Sequence, residues 1–213
     1  MTIGFVDLAG FTALTEVHGD EVAVDMLDAF VATAEDGVRS AGAELVKSIG
    51  DAVMVAADTP AAAIRAVQHV FEASYATDSF PEPRAGLHHG PVIARNADYF
   101  GATVNLAARV ASKAGSGQAF ATASLVAAAG ELGLDVVQLG PYELRNVLEP
   151  VELWAIEVAP THVDLSVDPV CRMRVSCQAA IGRVRHGGHE YALCSLDCLR
   201  AFAGDPDRYI AAL

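Results

Sequence analysis

The apolar residues of this chain recur with two spacings, one typical of helices and one typical of strands. Val22, Met26 and Phe30 lie four residues apart in a long segment, which predicts an amphipathic helix with one buried stripe. The same patterns predict strands over residues 2–8, 43–49, 52–57, 84–89, 92–94, 118–122, 135–144 and 151–158, and helices over 11–15, 20–38, 61–75 and 101–114. Turns at Gly50-Asp51 and Gly90-Pro91 would join their flanking strands as hairpins. Because hairpins pair strands in opposite directions, we expect an α+β protein rather than a doubly wound parallel sheet.

The chain is predicted to divide near residue 160, where a polar stretch rich in small residues begins. We expect one unit over 1–159, a linker over 160–167 and a second unit over 168–213. The 46 residues of the second unit would bury too little apolar surface to fold without a metal, a disulfide or a partner. All four cysteines lie in this unit, between positions 171 and 198. In a reducing compartment such a cluster indicates metal ligands before disulfides.

The charge of the chain limits its partners. Fourteen Lys and Arg against 27 Asp and Glu give a formal net charge of −13. This balance argues against a nucleic-acid partner, because phosphate backbones are bound by clustered cations, but it allows a single nucleotide. No apolar run approaches the roughly 18 residues of a membrane helix, and the N-terminus lacks a basic segment followed by a long apolar one. We therefore expect a cytoplasmic protein with no membrane partner.

Two aspartates stand at the ends of predicted strands. Asp7 precedes a tight turn at Gly10, where backbone N–H groups at the start of a helix can hold a metal-bound phosphate chain. Asp51 lies in the hairpin turn, and two converging carboxylates could bind the pair of metal ions used in phosphoryl chemistry. From the spacing alone, an ordinary helix cap and an ordinary turn explain these residues at least as well.

Several segments carry a resemblance to the class III adenylate/guanylate cyclases. FVDLAGFT at 5–12, KSIGD at 47–51 and GATVNLAAR at 101–109 resemble the three signature segments of that family, in the same order and at similar separations. RAGLHHG at 84–90 matches a further segment, and 144–156 resembles the closing strands. The resemblance covers nearly all of residues 1–158. It implies the ferredoxin-like class III cyclase fold, a mixed and mainly antiparallel sheet with flanking helices.

The resemblance implies a role for each matching residue. Asp7 and Asp51 correspond to the aspartates that bind two Mg²⁺ or Mn²⁺ ions, and the carbonyl of Leu8 would lie near one ion. Lys47 and Asp98 correspond to the pair that recognises adenine, whose N6 amino group donates to a carboxylate and whose N1 accepts from an ammonium. Guanine presents the opposite donor and acceptor at those positions, so this pair implies ATP.

A second set of matching residues concerns the ribose and the phosphates. Asn105 and Arg109 lie four residues apart on one predicted helix face. The resemblance implies that Asn105 positions the ribose and that Arg109 stabilises charge on the transferring phosphoryl group. Taken alone, the two would be a helix-start asparagine and a solvent-facing arginine. The lysine with which the family contacts the terminal phosphates falls near Arg145, which is the candidate substitute.

In this family each active site is shared between two subunits. The single chain carries both residue sets, which implies a head-to-tail homodimer that converts ATP to 3′,5′-cyclic AMP and pyrophosphate. The alternative is a catalytically weak or inactive cyclase-like module that binds nucleotide and is attached to a heavy-metal sensor. The absence of a lysine near Arg145 favours this alternative.

The cysteines of the second unit have a spacing typical of metal ligands. Cys171, Cys194 and Cys198 form a C-x22-C-x3-C pattern, and thiolates that converge in this way suit Zn²⁺ or Cu⁺. DPVCRM at 168–173 and EYALCSLDC at 190–198 resemble a YHS or TRASH-type domain, a family linked to heavy-metal sensing. The resemblance implies a small cysteine-containing α+β domain. Cysteines that pack as buried hydrophobic residues are the alternative.

The remaining cysteine and the histidines receive no firm role. Cys177 lies outside the spacing, as a core thiol or a fourth ligand. His18, His69 and His162 are isolated along the chain, and no Ser-His-Asp or Cys-His arrangement indicates a nucleophilic hydrolase.

Overall fold

The computed structural model describes residues 1–77, 80–159, 165–176 and 178–210. Its strands are β1 (Thr2–Leu8), β2 (Glu44–Ile49), β3 (Ala52–Ala57), β4 (Pro83–His89), β5 (Ile93–Arg95), β6 (Asp98–Phe100), β7 (Ala119–Thr122), β8 (Val136–Tyr142), β9 (Val151–Ile156), β10 (Leu165–Val167), β11 (Arg174–Ser176), β12 (Gly182–His186) and β13 (His189–Leu193). Its α-helices are α1 (Phe11–His18), α2 (Asp20–Ser40), α3 (Pro60–Ala76), α4 (Ala102–Ala111), α5 (Val126–Glu131), α6 (Leu196–Gly204) and α7 (Pro206–Ile210).

Seven strands form the main sheet, in the order β2-β3-β1-β4-β7-β9-β8. Neighbouring strands are antiparallel except for β4 and β7, which run parallel. The predicted hairpin around Gly50-Asp51 is present as β2 and β3. The expected α+β architecture, with a mixed and mainly antiparallel sheet, is therefore confirmed.

The two faces of the sheet pack against different helices. Val6 and Leu8 of β1 are buried in the core that contains α2 and α3, whereas Ile3 and Phe5 are buried with residues of α4. Successive side chains of a strand point to opposite faces. Asp7 therefore lies on the same face as Ile3 and Phe5, and this face, which α4 covers in part, is where the candidate site forms.

The helix α4 approaches the sheet most closely at Gly86 of β4. A Cβ atom on this glycine would lie 1.9 Å from the backbone nitrogen of Ala111. No larger residue fits between strand and helix at this point, so Gly86 sets the height of α4 above the sheet.

The strand predicted over 92–94 has a different partner from the one expected. Residues Ile93–Arg95 form β5, which pairs with β6 and not with β4. Both edges of β4 are already occupied, by β1 and by β7, so its backbone groups are not available to a returning strand. The predicted hairpin around Gly90-Pro91 is therefore wrong.

The C-terminal segment packs directly on the first two helices. Leu14 of α1 and Ala23 of α2 share a buried cluster with Val170, Leu193 and Phe202. The backbone also crosses between the two parts, because Pro81 forms an isolated β-bridge with Met173. The tail, residues 165–210, thus buries its apolar surface against the first part of the chain as well as against itself.

Arg174 of β11 fixes the tail to the end of α3. This side chain is 2% exposed, and its guanidinium donates to the carbonyls of Ser74, Tyr75 and Thr77, the last at 3.2 Å. It also stacks on the ring of Tyr75, 4.5 Å from the ring centroid. A cation at the C-terminal end of a helix satisfies carbonyls that have no partner within the helix.

The predicted linker lies mostly outside the described residues. Residues 160–164 are not described, and Leu165–Val167 form β10, which pairs with β11. The division into two domains stays a prediction. Among the described residues, no helix is both long and apolar enough to cross a membrane.

Candidate active site and a cysteine-histidine cluster

Asp7 lies beside Arg84, an arginine to which the sequence assigned no role. Across the β1–β4 pairing Asp7 lies opposite Arg84, and the guanidinium donates to both carboxylate oxygens, Nε to Oδ1 at 2.5 Å and a terminal nitrogen to Oδ2 at 2.9 Å. The hydrogen bond to Asp7 raises the pKa of Arg84 above its ordinary value. The signal that could have found Arg84 is its place at the head of the 84–90 segment, on the strand next to Asp7.

Asp51 lies in the turn between β2 and β3, half-buried, close enough to Asp7 for the two carboxylates to repel. Burial raises the pKa of Asp51, a backbone hydrogen bond opposes this effect, and the negative charge of Asp7 adds to it. A divalent cation between two such carboxylates would remove their repulsion, and carboxylate oxygens are the ligands that Mg²⁺ and Mn²⁺ prefer. Leu8 is buried at its side chain, so only its backbone can contribute to a metal site.

Lys47 and Asp98, the predicted purine pair, are brought together from positions 51 residues apart. The Lys47 ammonium donates to Asp98 Oδ2 at 2.5 Å, and the other carboxylate oxygen accepts from the backbone N–H of Tyr99 at 2.8 Å. The hydrogen bond from Lys47 lowers the pKa of Asp98 below its ordinary value. The ring of Phe100 lies beneath the ammonium, with its centroid 5.8 Å from Nζ. The pair therefore presents a donor and an acceptor side by side next to an aromatic face.

Asn105 and Arg109 line a separate cleft of about 510 Å³. They lie one turn apart on α4, and the loop of residues 146–149 forms the opposite wall. Among the described side chains, no hydrogen bond or ion pair joins either residue to Asp7 or Asp51. Arg145 is exposed and does not line this cleft. The residues that line this cleft do not include Asp7 or Asp51, so one chain holds Asn105 and Arg109 apart from the two aspartates.

The three tail cysteines converge with a histidine that the sequence left isolated. The sulfur of Cys194 lies 3.4 Å from that of Cys171 and 3.6 Å from that of Cys198. His18 Nε2 lies 3.7 Å from the Cys194 sulfur and 3.8 Å from the Cys198 sulfur. All four donor atoms lie within 4.8 Å of one another. Cys177, the other candidate for a fourth ligand, lies outside the described residues.

The environment of the cluster favours negative charge on one sulfur. Hydrogen bonding with Cys171 and Cys194 lowers the pKa of Cys198, and the contact with Cys194 raises that of Cys171. The alternative interpretation, cysteines that serve only as buried hydrophobic residues, explains the burial of Cys171 and Cys198 but not the convergence of His18 on the same point.

The family model of the adenylate and guanylate cyclase catalytic domain matches residues 1–157. The chain belongs to the adenylate and guanylate cyclase family. The predicted cyclase resemblance of the first unit is therefore confirmed. The tail lies beyond the matched range, and its resemblance to a YHS or TRASH-type domain stays a prediction.

The chain also resembles individual proteins, one of which is named an adenylate cyclase. The chain is 44% identical over 123 residues to an uncharacterised protein of Mycobacterium tuberculosis. These residues are 58% of the chain and 32% of that protein. It is 40% identical over 112 residues to an adenylate cyclase of Streptomyces coelicolor, over 53% of the chain and 29% of that enzyme. The chain spans less than half the length of the curated relatives it matches.

Solved cyclase structures share the fold. An adenylate cyclase of Trypanosoma brucei, studied in its monomeric state, superposes with a TM-score of 0.67 at 23% identity, over 76% of this chain and 90% of that one. The cyclase fold of residues 1–157 thus rests on both sequence and structure.

Proposed function

We propose that the chain is a class III adenylate cyclase, which converts ATP to 3′,5′-cyclic AMP and pyrophosphate. The observation that carries the proposal is the contact between Lys47 and Asp98 at 2.5 Å. This pair matches the edge of adenine, because the N6 amino group can donate to Asp98 while N1 accepts from Lys47. Guanine would place an acceptor against the carboxylate and a donor against the ammonium, and unpaired polar groups of this kind give strong discrimination.

In the proposed reaction the ribose 3′-oxygen attacks the α-phosphorus of ATP. A bond forms between these two atoms, the bond from the α-phosphorus to the bridging oxygen breaks, pyrophosphate leaves, and the proton of the 3′-hydroxyl passes to water. Asp7 and Asp51 are the residues that would hold two Mg²⁺ or Mn²⁺ ions, which when bound supply activation of the hydroxyl and neutralisation of the phosphates. Arg84, hydrogen-bonded to Asp7, lies where its guanidinium can also face a phosphate oxygen.

Asn105 and Arg109 are proposed to act on the ribose and on the charge of the transition state. Arg109 is half-buried in the cleft, and among the described residues it forms no ion pair, so its guanidinium can bind a substrate anion. A fixed guanidinium directed at charge that develops during phosphoryl transfer lowers the barrier.

A head-to-tail homodimer is proposed, in which each active site takes the metal aspartates from one chain and the base, ribose and transition-state residues from the other. The cleft of Asn105 and Arg109, whose lining does not include Asp7 or Asp51, supports this arrangement. Large apolar side chains are exposed near the purine pair and at the cleft: Ile49 at 51% and Phe100 at 47% lie close to Lys47, and Leu148 is fully exposed at the cleft. Apolar residues grouped around a polar site in this way favour a protein contact surface. We expect the monomer to be inactive.

The tail is proposed to bind Zn²⁺ or Cu⁺ through Cys171, Cys194 and Cys198 and to adjust the cyclase activity. The support is the convergence of the three sulfurs and the packing of the tail on α1 and α2. If cyclase activity is the same with and without metal in this cluster, the regulatory part of this proposal is wrong.

The deciding experiment measures cyclic nucleotide formation from ATP and from GTP with Mn²⁺. Wild type is compared with Asp51→Ala and with Asp25→Ala, which removes an exposed aspartate on the outer side of α2. Cyclic AMP formed by wild type and by Asp25→Ala, but not by Asp51→Ala, is the expected result. Cyclic GMP as the main product would contradict the adenine assignment. No product from a dimeric protein would favour the nucleotide-binding module instead.

A further inference from the structure

The four donors of the cysteine-histidine cluster come from two parts of the chain. His18 is the last residue of α1, in the cyclase catalytic domain. Cys171 lies in the turn that precedes β11, Cys194 directly follows β13, and Cys198 lies in the first turn of α6. His18 is 180 residues from Cys198 in the sequence.

The spacing of the donors fits a tetrahedral ion. With zinc–sulfur bonds of about 2.3 Å, a tetrahedron separates neighbouring ligand atoms by about 3.8 Å. Four of the separations among the donors are 3.4, 3.6, 3.7 and 3.8 Å, and all of them are within 4.8 Å. All three cysteines are free thiols, so no disulfide competes for the sulfurs. Three thiolates and one imidazole form a Cys₃His ligand set that suits Zn²⁺.

Hydrogen bonds hold the backbone around the cluster in place. The buried carboxylate of Asp168 accepts from the backbone N–H groups of Val170 and Cys194, each at 2.8 Å. The hydroxyl of Ser195 accepts from the backbone N–H of Cys198 at 3.1 Å and caps α6. These hydrogen bonds fix the segments that carry Cys171, Cys194 and Cys198, as supporting interactions do in structural metal sites.

We propose that Zn²⁺ binds to Cys171, Cys194, Cys198 and His18 together, so that the catalytic domain supplies the fourth ligand and the ion joins the tail to α1. His18 is the new element, because it turns a site within the tail into a link between the two parts of the chain.

The link reaches the turn that follows the Asp7 strand. Arg172, next to Cys171, packs against Gly10, and a Cβ on that glycine would lie 2.3 Å from Arg172 Cγ. Gly10 stands between Asp7 and the start of α1. The tail therefore contacts α1 at its beginning through Arg172 and at its end through the ion. Zinc binding thus holds in place the helix that follows the turn after Asp7.

The test uses the full-length chain, freed of metal and kept reduced. Zn²⁺ affinity is measured by competition with a coloured chelator, and Co²⁺ serves as the spectroscopic probe of the ligand set. We expect one Zn²⁺ per chain and a loss of more than about tenfold in affinity for His18→Ala. The Co²⁺ absorption bands should shift in that variant, because a water ligand replaces the imidazole. His18→Cys should bind tightly again with a four-sulfur spectrum.

A matched control is His189→Ala, which removes an exposed histidine of the tail and should change neither affinity nor spectrum. If His18→Ala binds Zn²⁺ and Co²⁺ as wild type does, the three cysteines act without His18 and the proposal is overturned. It is overturned equally if the wild type binds no Zn²⁺. Neither measurement requires cyclase activity, so this outcome is independent of the proposed reaction.

Hydrogen exchange of the peptide that spans residues 11–18 tests the link itself. Zn²⁺ should slow exchange at the end of α1 in wild type and leave His18→Ala unchanged. Equal protection in both proteins would show that the ion does not hold this helix.

Discussion

The contact between Gly10 and Arg172 makes a quantitative prediction for Gly10→Ala. Gly10 has a φ of +80°, a left-handed conformation that costs an alanine about 1 to 2 kcal/mol. The new methyl group would also lie 2.3 Å from Cγ and 2.4 Å from Cβ of Arg172. Relief of such an overlap in a packed region costs about 1 to 3 kcal/mol. Gly10→Ala should therefore lower the free energy of unfolding by about 2 to 5 kcal/mol.

The two contributions can be separated by a second substitution. Arg172 itself has a φ of +66°, so Arg172→Gly suits the backbone and removes the side chain that the methyl group meets. In the Arg172→Gly background, Gly10→Ala should cost only the conformational part, about 1 to 2 kcal/mol. The coupling between the two sites is then about 1 to 3 kcal/mol.

Urea unfolding of the four proteins, followed by circular dichroism, measures this coupling from the midpoints at constant slope. Gly133→Ala is the matched control, because Gly133 has a φ of +74° in the turn after α5 and a Cβ there would meet no atom within 4 Å. It should cost the conformational part alone, with the same value in both backgrounds. If Gly10→Ala lowers the free energy of unfolding by the same amount with and without the Arg172 side chain, the tail does not pack against the turn after Asp7.

Three further predictions concern the catalytic residues. Asp98→Asn should lower kcat/KM for ATP by about 10- to 100-fold, because the purine amino group loses a charged acceptor. The control Asp58→Asn, at an exposed aspartate, should leave kcat/KM unchanged. Equal effects of the two substitutions would contradict the assignment of Asp98 to the purine. Arg109→Met should lower kcat by about 100-fold or more with a smaller effect on KM. The control Arg65→Met, at an exposed arginine, should leave kcat unchanged. A change in KM alone would exclude transition-state stabilisation by Arg109. Burial raises the pKa of Asp51 in the folded chain, so its charge opposes folding at neutral pH, and Asp51→Asn should raise the urea midpoint of the metal-free protein at pH 7. That gain should disappear as the pH falls below about 4, where the carboxyl is protonated in both states, and a lower midpoint at pH 7 would show that the charge of Asp51 does not oppose folding.

The local pattern of residues was enough to predict most elements of the cyclase domain. The apolar stripe of α2, the run of β1 and the turn at Gly50-Asp51 all depend on neighbours within a few positions. The motif residues were also identified from the sequence, and the structure brings Lys47 and Asp98 into contact as expected. The places of Asn105, Arg109 and Arg145 are now described, while their roles stay predictions.

The sequence pattern did not predict features that depend on which strands lie side by side. The segment 92–94 reads as a strand, but its pairing with β6 follows from the occupation of both edges of β4. In the sequence Arg84 is one residue of a predicted strand, and only the placement of β4 beside β1 brings it opposite Asp7.

The sequence by itself thus determined the order of the elements, the cyclase motifs and the three cysteines, because each depends on residue type and short-range spacing. Only the tertiary structure decided that His18 joins those cysteines and that Arg172 rests on Gly10. Both contacts exist because the tail buries its apolar residues against α1 and α2. The hydrophobic effect is not directional, so apolar residues alone do not specify which distant residues come into contact. Contacts between residues more than 150 positions apart therefore leave no periodic pattern in the sequence.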